Sequence, residues 1–447
     1  MISSYQEARE FLESLIKPYQ SERIEGISPE YNNPLGRMTY LLKLLGDPHK
    51  KFPSVVVSGT SGKTSTTILT ASLLSAAGYS VGQTISPHLQ KMNERIVVDG
   101  KEIADEEFFA LVNTIVPFVS QMEQEVIGPP SYFEALLAMA FLYFAQKKVD
   151  IVIAEVGLEG KFDGTNTLSP LVFVYTNTSL DHTQILGETV EQIAEEGAFS
   201  IKENMTVVSG ITQPSVISIF EKYAKNVYTP LLLLGKDFSY SLKKSTKEED
   251  VFDFEDVKGK ISSINVSLTG EYQAQNAVLA IEAVRQLGKN GFHVSEEQIR
   301  LALKTSFVAG RFEKIREGII LDGAHNPAKM HAFLSSLQTL YPNTKKIFVV
   351  GFKKGKDARE MLLEIQKMAE VIVLTEFQSL SDTTKNTSMS QEELLNSLTQ
   401  KVQTSATVGE ALSLAESLAK NTPESMIVIT GSLYLVGEAR QLLLAGR

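Results

Sequence analysis

Short runs of β-branched and other apolar residues alternate along this chain with longer segments whose apolar positions recur at helical spacing. The runs Val55–Val57, Ile151–Ala154, Val172–Tyr175 and Thr206–Val208 predict buried strands of a mostly parallel sheet with helices on both faces. After the first run, Ile68, Leu69, Ala71, Leu73, Leu74, Ala76 and Ala77 mark the apolar face of a helix, and Gly78 marks its end. Met1 to Lys17, with Glu7, Arg9, Glu10 and Glu13 spread through it, predicts an amphipathic helix and lacks the basic-then-apolar order of a signal peptide. From about Tyr228 to Val266 the chain turns charged and irregular, which predicts a small antiparallel excursion with Lys243 to Asp250 as a solvated turn.

A second α/β rhythm starts near Arg311. Strands at Ile319–Leu321, Ile347–Val350, Val371–Leu374 and Ile427–Ile429 are separated by helices such as Ala328–Leu340 and Gly409–Ala419. The expected fold class is therefore α/β, an N-terminal P-loop-type mostly parallel sheet domain plus a smaller C-terminal α/β (Rossmann-like) domain. The expected division is 1–305, a glycine-containing hinge at 306–311, and 312–447. A length of 447 residues agrees, because it exceeds the size at which one core keeps growing.

Composition narrows the chemistry. A formal charge of −10 disfavours a nucleic-acid surface. With no cysteine there is no disulfide, thiolate nucleophile or zinc–thiolate site, and a reducing compartment fits. The longest apolar stretch, Ala135 to Ala145, is about half of the ~20 residues needed to cross a bilayer. A soluble cytoplasmic protein, without membrane or nucleic-acid partner, is the expectation.

The most informative segment is Val55 to Thr67, where a β-branched run breaks at Gly59-Thr60-Ser61-Gly62 and opens through Lys63, Thr64 and Ser65 into a helix. Small residues let backbone N–H groups approach phosphate oxygens, the helix N-terminus adds partial positive charge, and Lys63 adds a full one. A hydroxyl on Thr64 or Ser65 is placed for Mg²⁺. Val57 stands where the longer P-loop pattern has its first glycine, so the form is the shorter G-T-x-G-K-T. Three of the six histidines stand in polar clusters beside expected strand ends: Ser86-Pro87-His88, Leu180-Asp181-His182 and Asp322 to Pro327. Strand C-terminal ends of a parallel sheet point into the ligand crevice, so these clusters are expected to converge there. Glu155 ends its own strand, where burial demands a cation, and Mg²⁺ on nucleotide phosphates is the economical partner.

These residues resemble those of the folylpolyglutamate synthase and dihydrofolate synthase family, within the Mur-type ATP-dependent amide ligases. The resemblance runs from about Leu41 to Arg440. Its carriers are Gly59 to Lys63, Ser86 to Leu89 with Asn93 to Ile96, Phe133-Glu134, Glu155 to Leu158, Asp163 with Thr165-Asn166, and Leu180 to Thr183. Gly270 to Gln273 with Asn276-Ala277, Gly310 to Glu313, Asp322 to Pro327 and Thr430 to Tyr434 follow in order.

The resemblance implies that ATP phosphorylates a carboxylate of a reduced folate or dihydropteroate and that the amino group of L-glutamate attacks the acyl phosphate, with ADP and phosphate released. It implies roles for single residues. Lys63 would hold the β/γ phosphates, and Thr64 or Ser65 would support the loop. Ser86, Glu155 and His182 match Mg²⁺-binding positions. Asn276 and Arg311 would meet the nucleotide, Asp322 would lie near the ribose, and His325 near the reacting phosphate or the incoming glutamate. Lys356-Asp357 matches a lysine and aspartate of a C-terminal loop, and a solvated charged loop reads equally well. A monomer is expected, since one chain supplies both sides of the site. Another Mur-type ligase with a different carboxylate acceptor, or an inactive ATP-binding relative, is the alternative.

Three departures stand out. The phosphate loop has Ser61 and Thr64 where the family usually has G-T-N-G-K-G-S. Glu159 and Lys161 replace a glycine and an arginine. Gly197 occupies the position of a lysine whose carbamate holds a second Mg²⁺. Either another acid takes its place, with Glu196 the nearest candidate and solvent or substrate oxygen another, or the second metal is held more weakly, and activity is expected without bicarbonate.

Overall fold

The structure, a computed structural model, describes residues 2–16, 35–380, 385–395 and 402–446. The larger sheet has eight strands. In spatial order they are Lys101–Glu102, Val97–Val98, Val81–Thr84, Ile151–Glu155, Ser54–Ser58, Val172–Tyr175, Thr206–Ser209 and Leu231–Leu233. Val97–Val98 pairs antiparallel with both of its neighbours, and the other pairings are parallel.

Period-two alternation divides the core. Val55, Val57, Ile151, Ile153, Val172 and Val174 point to one face, packed with the helices Lys63–Ala76 and Glu271–Leu287. Val56, Val152, Ala154, Phe173 and Tyr175 point to the other, which includes Ala194 and Ala198 of the helix Val190–Ala198. The helix Tyr5–Ser14 buries Ala8 and Leu12 in that second face; the ends of the expected helix, Met1 and Lys17, lie outside the described residues. The apolar stretch from Ala135 lies in the helix Tyr132–Lys147, and among the described residues no helix is long and apolar enough to cross a membrane.

The excursion is a three-stranded antiparallel sheet, Phe238–Ser245, Asp250–Asp256 and Gly259–Val266. Its apolar side packs into the same core as the helix Glu271–Leu287.

The smaller domain is a six-stranded sheet ordered Glu313–Arg316, Ile319–Leu321, Ser425–Thr430, Lys345–Val350, Ala369–Thr375 and Val402–Ser405, parallel apart from its first pair. The two sheets meet through polar and close contacts. Arg440 donates from Nε to both Glu313 carboxylate oxygens at 3.0 Å and from Nη1 to Gln90 Oε1 at 2.7 Å. Gly437, in the helix Leu433–Leu444, sits so close to the Leu89 carbonyl that a Cβ would overlap it.

Register puts the chemistry at one end of the large sheet. Val57 pairs with Glu155 and Ser58 with Tyr175, so the turn after Ser58, the Glu155 carboxylate and the Thr176-Asn177 segment leave three adjacent strands at the same level.

Candidate active site

A cavity of about 430 Å³ opens there, between the large sheet and the C-terminal domain. Its wall includes Thr60 through Ser65, Ser86, Glu155, His182, Asn276, Arg311, Asp322 and His325. Gly59 stands behind the wall, and its carbonyl accepts from Lys63 Nζ at 2.6 Å.

The loop is shaped by its neighbours on Val172–Tyr175. Thr60 N donates to Asn177 O at 3.0 Å, Ser61 N donates to Asn177 Oδ1 at 3.1 Å, and Thr176 Oγ1 donates to Ser61 O at 2.6 Å. Gly59 has φ +121° and a Cβ there would lie 2.9 Å from Thr176 N, so the loop can approach the sheet only without a side chain. Gly62, at φ +85°, opens the helix without a side-chain cap, leaving the N-terminus of Lys63–Ala76 facing the cavity.

Glu155 is buried. Its Oε1 accepts from Thr64 Oγ1 at 2.9 Å and its Oε2 from Ser86 N at 3.3 Å. Burial raises its pKa, while Lys63 and Thr64 pull the other way. Ser86 Oγ is buried beside it without a hydrogen-bond partner among the described residues.

Asp181 gathers the second domain. Its Oδ1 pairs with Lys356 and accepts from His182 N at 2.9 Å; its Oδ2 accepts from Asn326 Nδ2 at 2.9 Å and lies 3.7 Å from Lys329 Nζ. Burial opposes the carboxylate's charge, but Lys329 and Lys356 outweigh it and hold its pKa far below the usual range. His325 Nδ1 lies 2.8 Å from the Gly323 carbonyl, which fixes the proton on that nitrogen and leaves Nε2 to accept from Lys329 at 3.0 Å. Burial lowers the pKa of both His325 and Lys329. His182, in the left-handed region at φ +50°, is drawn below its normal value by desolvation; about half of its side-chain surface, 47%, stays open, so water moderates that effect. Asp322 accepts from Phe312 N and Ala324 N, both at 2.8 Å, and from Tyr272 Oη at 3.4 Å.

The structure corrects two expectations. His88 does not converge on the cavity: its Nδ1 accepts from Arg95 Nε at 2.9 Å, and burial keeps the ring neutral. Glu196 does not reach it either. Its Oε2 accepts from Lys161 N at 3.3 Å and its Oε1 lies 3.5 Å from Lys161 Nζ, outside the cavity wall. Of the two readings open for Lys356-Asp357, the solvated loop fails for Lys356, which is paired with Asp181, while Asp357 caps the helix Ala358–Gln366. Sequence reasoning missed Lys329, and gave Asn326, inside the Asp322 to Pro327 cluster, no role of its own. The signal was present in the spacing of His325 and Lys329, four residues apart across a Pro-initiated helix start.

The buried unpartnered hydroxyl of Ser86 and the glycine cradle fit a polyphosphate with its cation. Among the described residues no cluster of three or more His, Asp or Glu could hold a metal alone.

Residues 57–284 match the Mur ligase middle domain, and residues 309–442 match the C-terminal domain of dihydrofolate synthetase. The chain is 34% identical over 447 residues to the dihydrofolate synthase/folylpolyglutamate synthase of Bacillus subtilis, covering 99% of this chain and 100% of that one. Its structure matches the folylpolyglutamate synthase of Mycobacterium tuberculosis complexed with ADP at a TM-score of 0.88, with 28% identity, over 99% of this chain and 98% of that one. The Thermotoga maritima folylpolyglutamate synthase matches at 0.83, with 30% identity, over 99% and 97%. Two consecutive domain matches and full-length similarity place this chain in the dihydrofolate synthase/folylpolyglutamate synthase family of Mur-type ligases.

Proposed function

We infer that the chain is an ATP-dependent ligase that joins L-glutamate to a folate-type carboxylate through an acyl phosphate. The observation that carries this is a cavity that faces a phosphate loop with Glu155 on one side and Arg311, Asp322, His325 and Lys329 on the other. Phosphoryl transfer needs charge neutralisation and positioning more than a protein nucleophile. Lys63 neutralises the β/γ phosphates, and Arg311 offers a planar fork suited to a phosphate. Asn276 and Asp322 hold the nucleoside. Ser86, Glu155 and His182 would hold Mg²⁺, which supplies charge neutralisation between phosphate oxygens when bound.

His325 and Lys329 face the place where the acyl phosphate meets the amine of glutamate. Nε2 of His325 is the unprotonated nitrogen, so it is positioned to take the proton that the amine loses on attack. The acceptor carboxylate gains the γ-phosphoryl group, the amine displaces phosphate, and the products are an amide, ADP and phosphate. The working unit is a monomer, since one chain lines both sides of the cavity, and a cysteine-free chain suits the reducing cytoplasm.

Purified protein with ATP, Mg²⁺ and L-glutamate, offered dihydropteroate and tetrahydrofolate separately, tests this by mass spectrometry of the products and ADP release. A glutamyl adduct on either acceptor is expected and identifies which activity the chain has. Absence of product and of ADP with both would overturn the reading.

A further inference from the structure

The cavity wall also holds the buried carboxyl of Glu159, to which the reaction above gives no part. Glu159 is 6% exposed, lines the cavity, and its Oε1 has no hydrogen-bond partner among the described residues. Its loop is fixed. Gly157 N and Leu158 N both donate to Asp163 Oδ2 at 2.9 Å, and Gly160 turns the chain at φ +111°. Burial raises the Glu159 pKa to about 7, while Lys63, the Tyr175 hydroxyl and the Gly59 N–H pull the other way. Tyr175 is itself held, with its hydroxyl 3.0 Å from Thr178 Oγ1.

A buried carboxyl with an open oxygen, in a cavity lined for polyphosphate, either keeps its proton or, once ionised, needs a cation between itself and the phosphates. The charge of Lys63 acts on Glu159, but Lys63 serves the phosphate loop and donates to the Gly59 carbonyl. Position 197 can supply nothing, because a Cβ on Gly197 would lie 2.6 Å from Tyr175 Cε2 and 2.8 Å from its hydroxyl. The Tyr175 ring fills the space that a side chain from the helix Val190–Ala198 would need, and the anion comes from the opposite loop.

We propose that Glu159 is a divalent-cation ligand of the nucleotide site, a permanent carboxylate seated by Tyr175 over Gly197 that makes the site independent of CO₂. This rests on the ATP and Mg²⁺ reading. It adds a cation position distinct from that of Glu155, and it explains why the residues at 159, 175 and 197 fit one another.

Mn²⁺ binding to the full chain with a non-hydrolysable ATP analogue, followed by the electron paramagnetic resonance of free Mn²⁺, tests the assignment without turnover. Wild type is compared with Glu159→Gln, which keeps the shape, and Glu159→Asp, which keeps the charge; thermal melts confirm that each variant is folded. Glu159→Gln is expected to weaken one Mn²⁺ position roughly tenfold or more while the other remains, and Glu159→Asp to fall between. Wild-type Mn²⁺ binding in CO₂-depleted buffer is expected to be unchanged by added bicarbonate. Equal Mn²⁺ number and affinity in wild type and Glu159→Gln, equal losses in both variants, or a rise in binding with bicarbonate would each overturn the proposal. Failure of wild type to bind the analogue and Mn²⁺ at all would instead overturn the ATP reading beneath it.

Discussion

Asp181 and Lys356 form an ion pair between the end of the large sheet and the C-terminal domain, with only 7% and 17% of their side chains exposed. Lys329 and Asn326 join the same carboxylate. Removing one member of a buried pair costs about 3–5 kcal/mol, because the remaining charges lose their counter-ion without regaining water. Asp181→Asn is therefore expected to lower stability by about 3 kcal/mol and to depress ligase activity, read by chemical denaturation and product formation. The sign with pH follows from the lowered native pKa. The pair's stabilisation is complete above the unfolded carboxylate value of about 4 and fades as pH falls below it, so the variant and wild type converge in acid.

Lys63→Ala is expected to reduce turnover by roughly 10²–10³-fold while the melting temperature changes little. The Lys63 amine contacts a loop carbonyl rather than core atoms, so its loss leaves the packing intact. ADP release measured beside thermal unfolding separates the two effects, and retained turnover would remove Lys63 from the reaction.

Gly62→Ala tests the cradle. An added Cβ would meet the Asn276 amide, with Asn276 Cγ at 3.1 Å, and the backbone is already at φ +85°. A strain of about 1–3 kcal/mol and a loss of nucleotide affinity of roughly a hundredfold are expected, measured by calorimetric titration with ADP.

Glu282 offers a test far from the cavity. It is buried in the helix Glu271–Leu287, its Oε1 accepting from Gln286 Nε2 at 2.6 Å, and burial raises its pKa to about 7. A carboxyl whose native value lies above its unfolded one stabilises the fold at low pH and loses that contribution as pH rises through about 7. Glu282→Gln removes the charge, so it is expected to stabilise the protein by about 1–3 kcal/mol at pH 8 and by little at pH 4. Melting temperatures at the two values provide the check, and a uniform shift at both would contradict the cause given.

Much of this architecture was legible because the strands that position the site are buried on both faces. Val55–Val57 and Ile151–Ala154 read as continuous apolar runs, and the structure extends them only to Ser54–Ser58 and Ile151–Glu155. Val81–Thr84, Val97–Val98 and Leu231–Leu233 were not legible. Gly82, Gln83 and Thr84 gain strand geometry from pairing with Ile151–Glu155, a contact between distant parts of the chain that no local pattern encodes. The phosphate loop stood out because its chemistry is contiguous in sequence. Asn326 and Lys329 did not, because their meaning comes from Asp181, roughly 145 residues earlier. Glu159 was visible only as a misfit, and its partners Tyr175 and Gly197 meet it only in three dimensions.

The contact of Gly437 with the Leu89 carbonyl has a mechanical corollary. Leu89 lies three residues beyond Ser86, in the segment whose Ser86 N–H binds Glu155. Because no side chain cushions position 437, a rotation of one sheet against the other cannot be absorbed locally and must be transmitted to Ser86. The seating of the domains and the placement of the Ser86 hydroxyl are thereby a single degree of freedom, so any larger residue at 437 is expected to shift Ser86 without touching it.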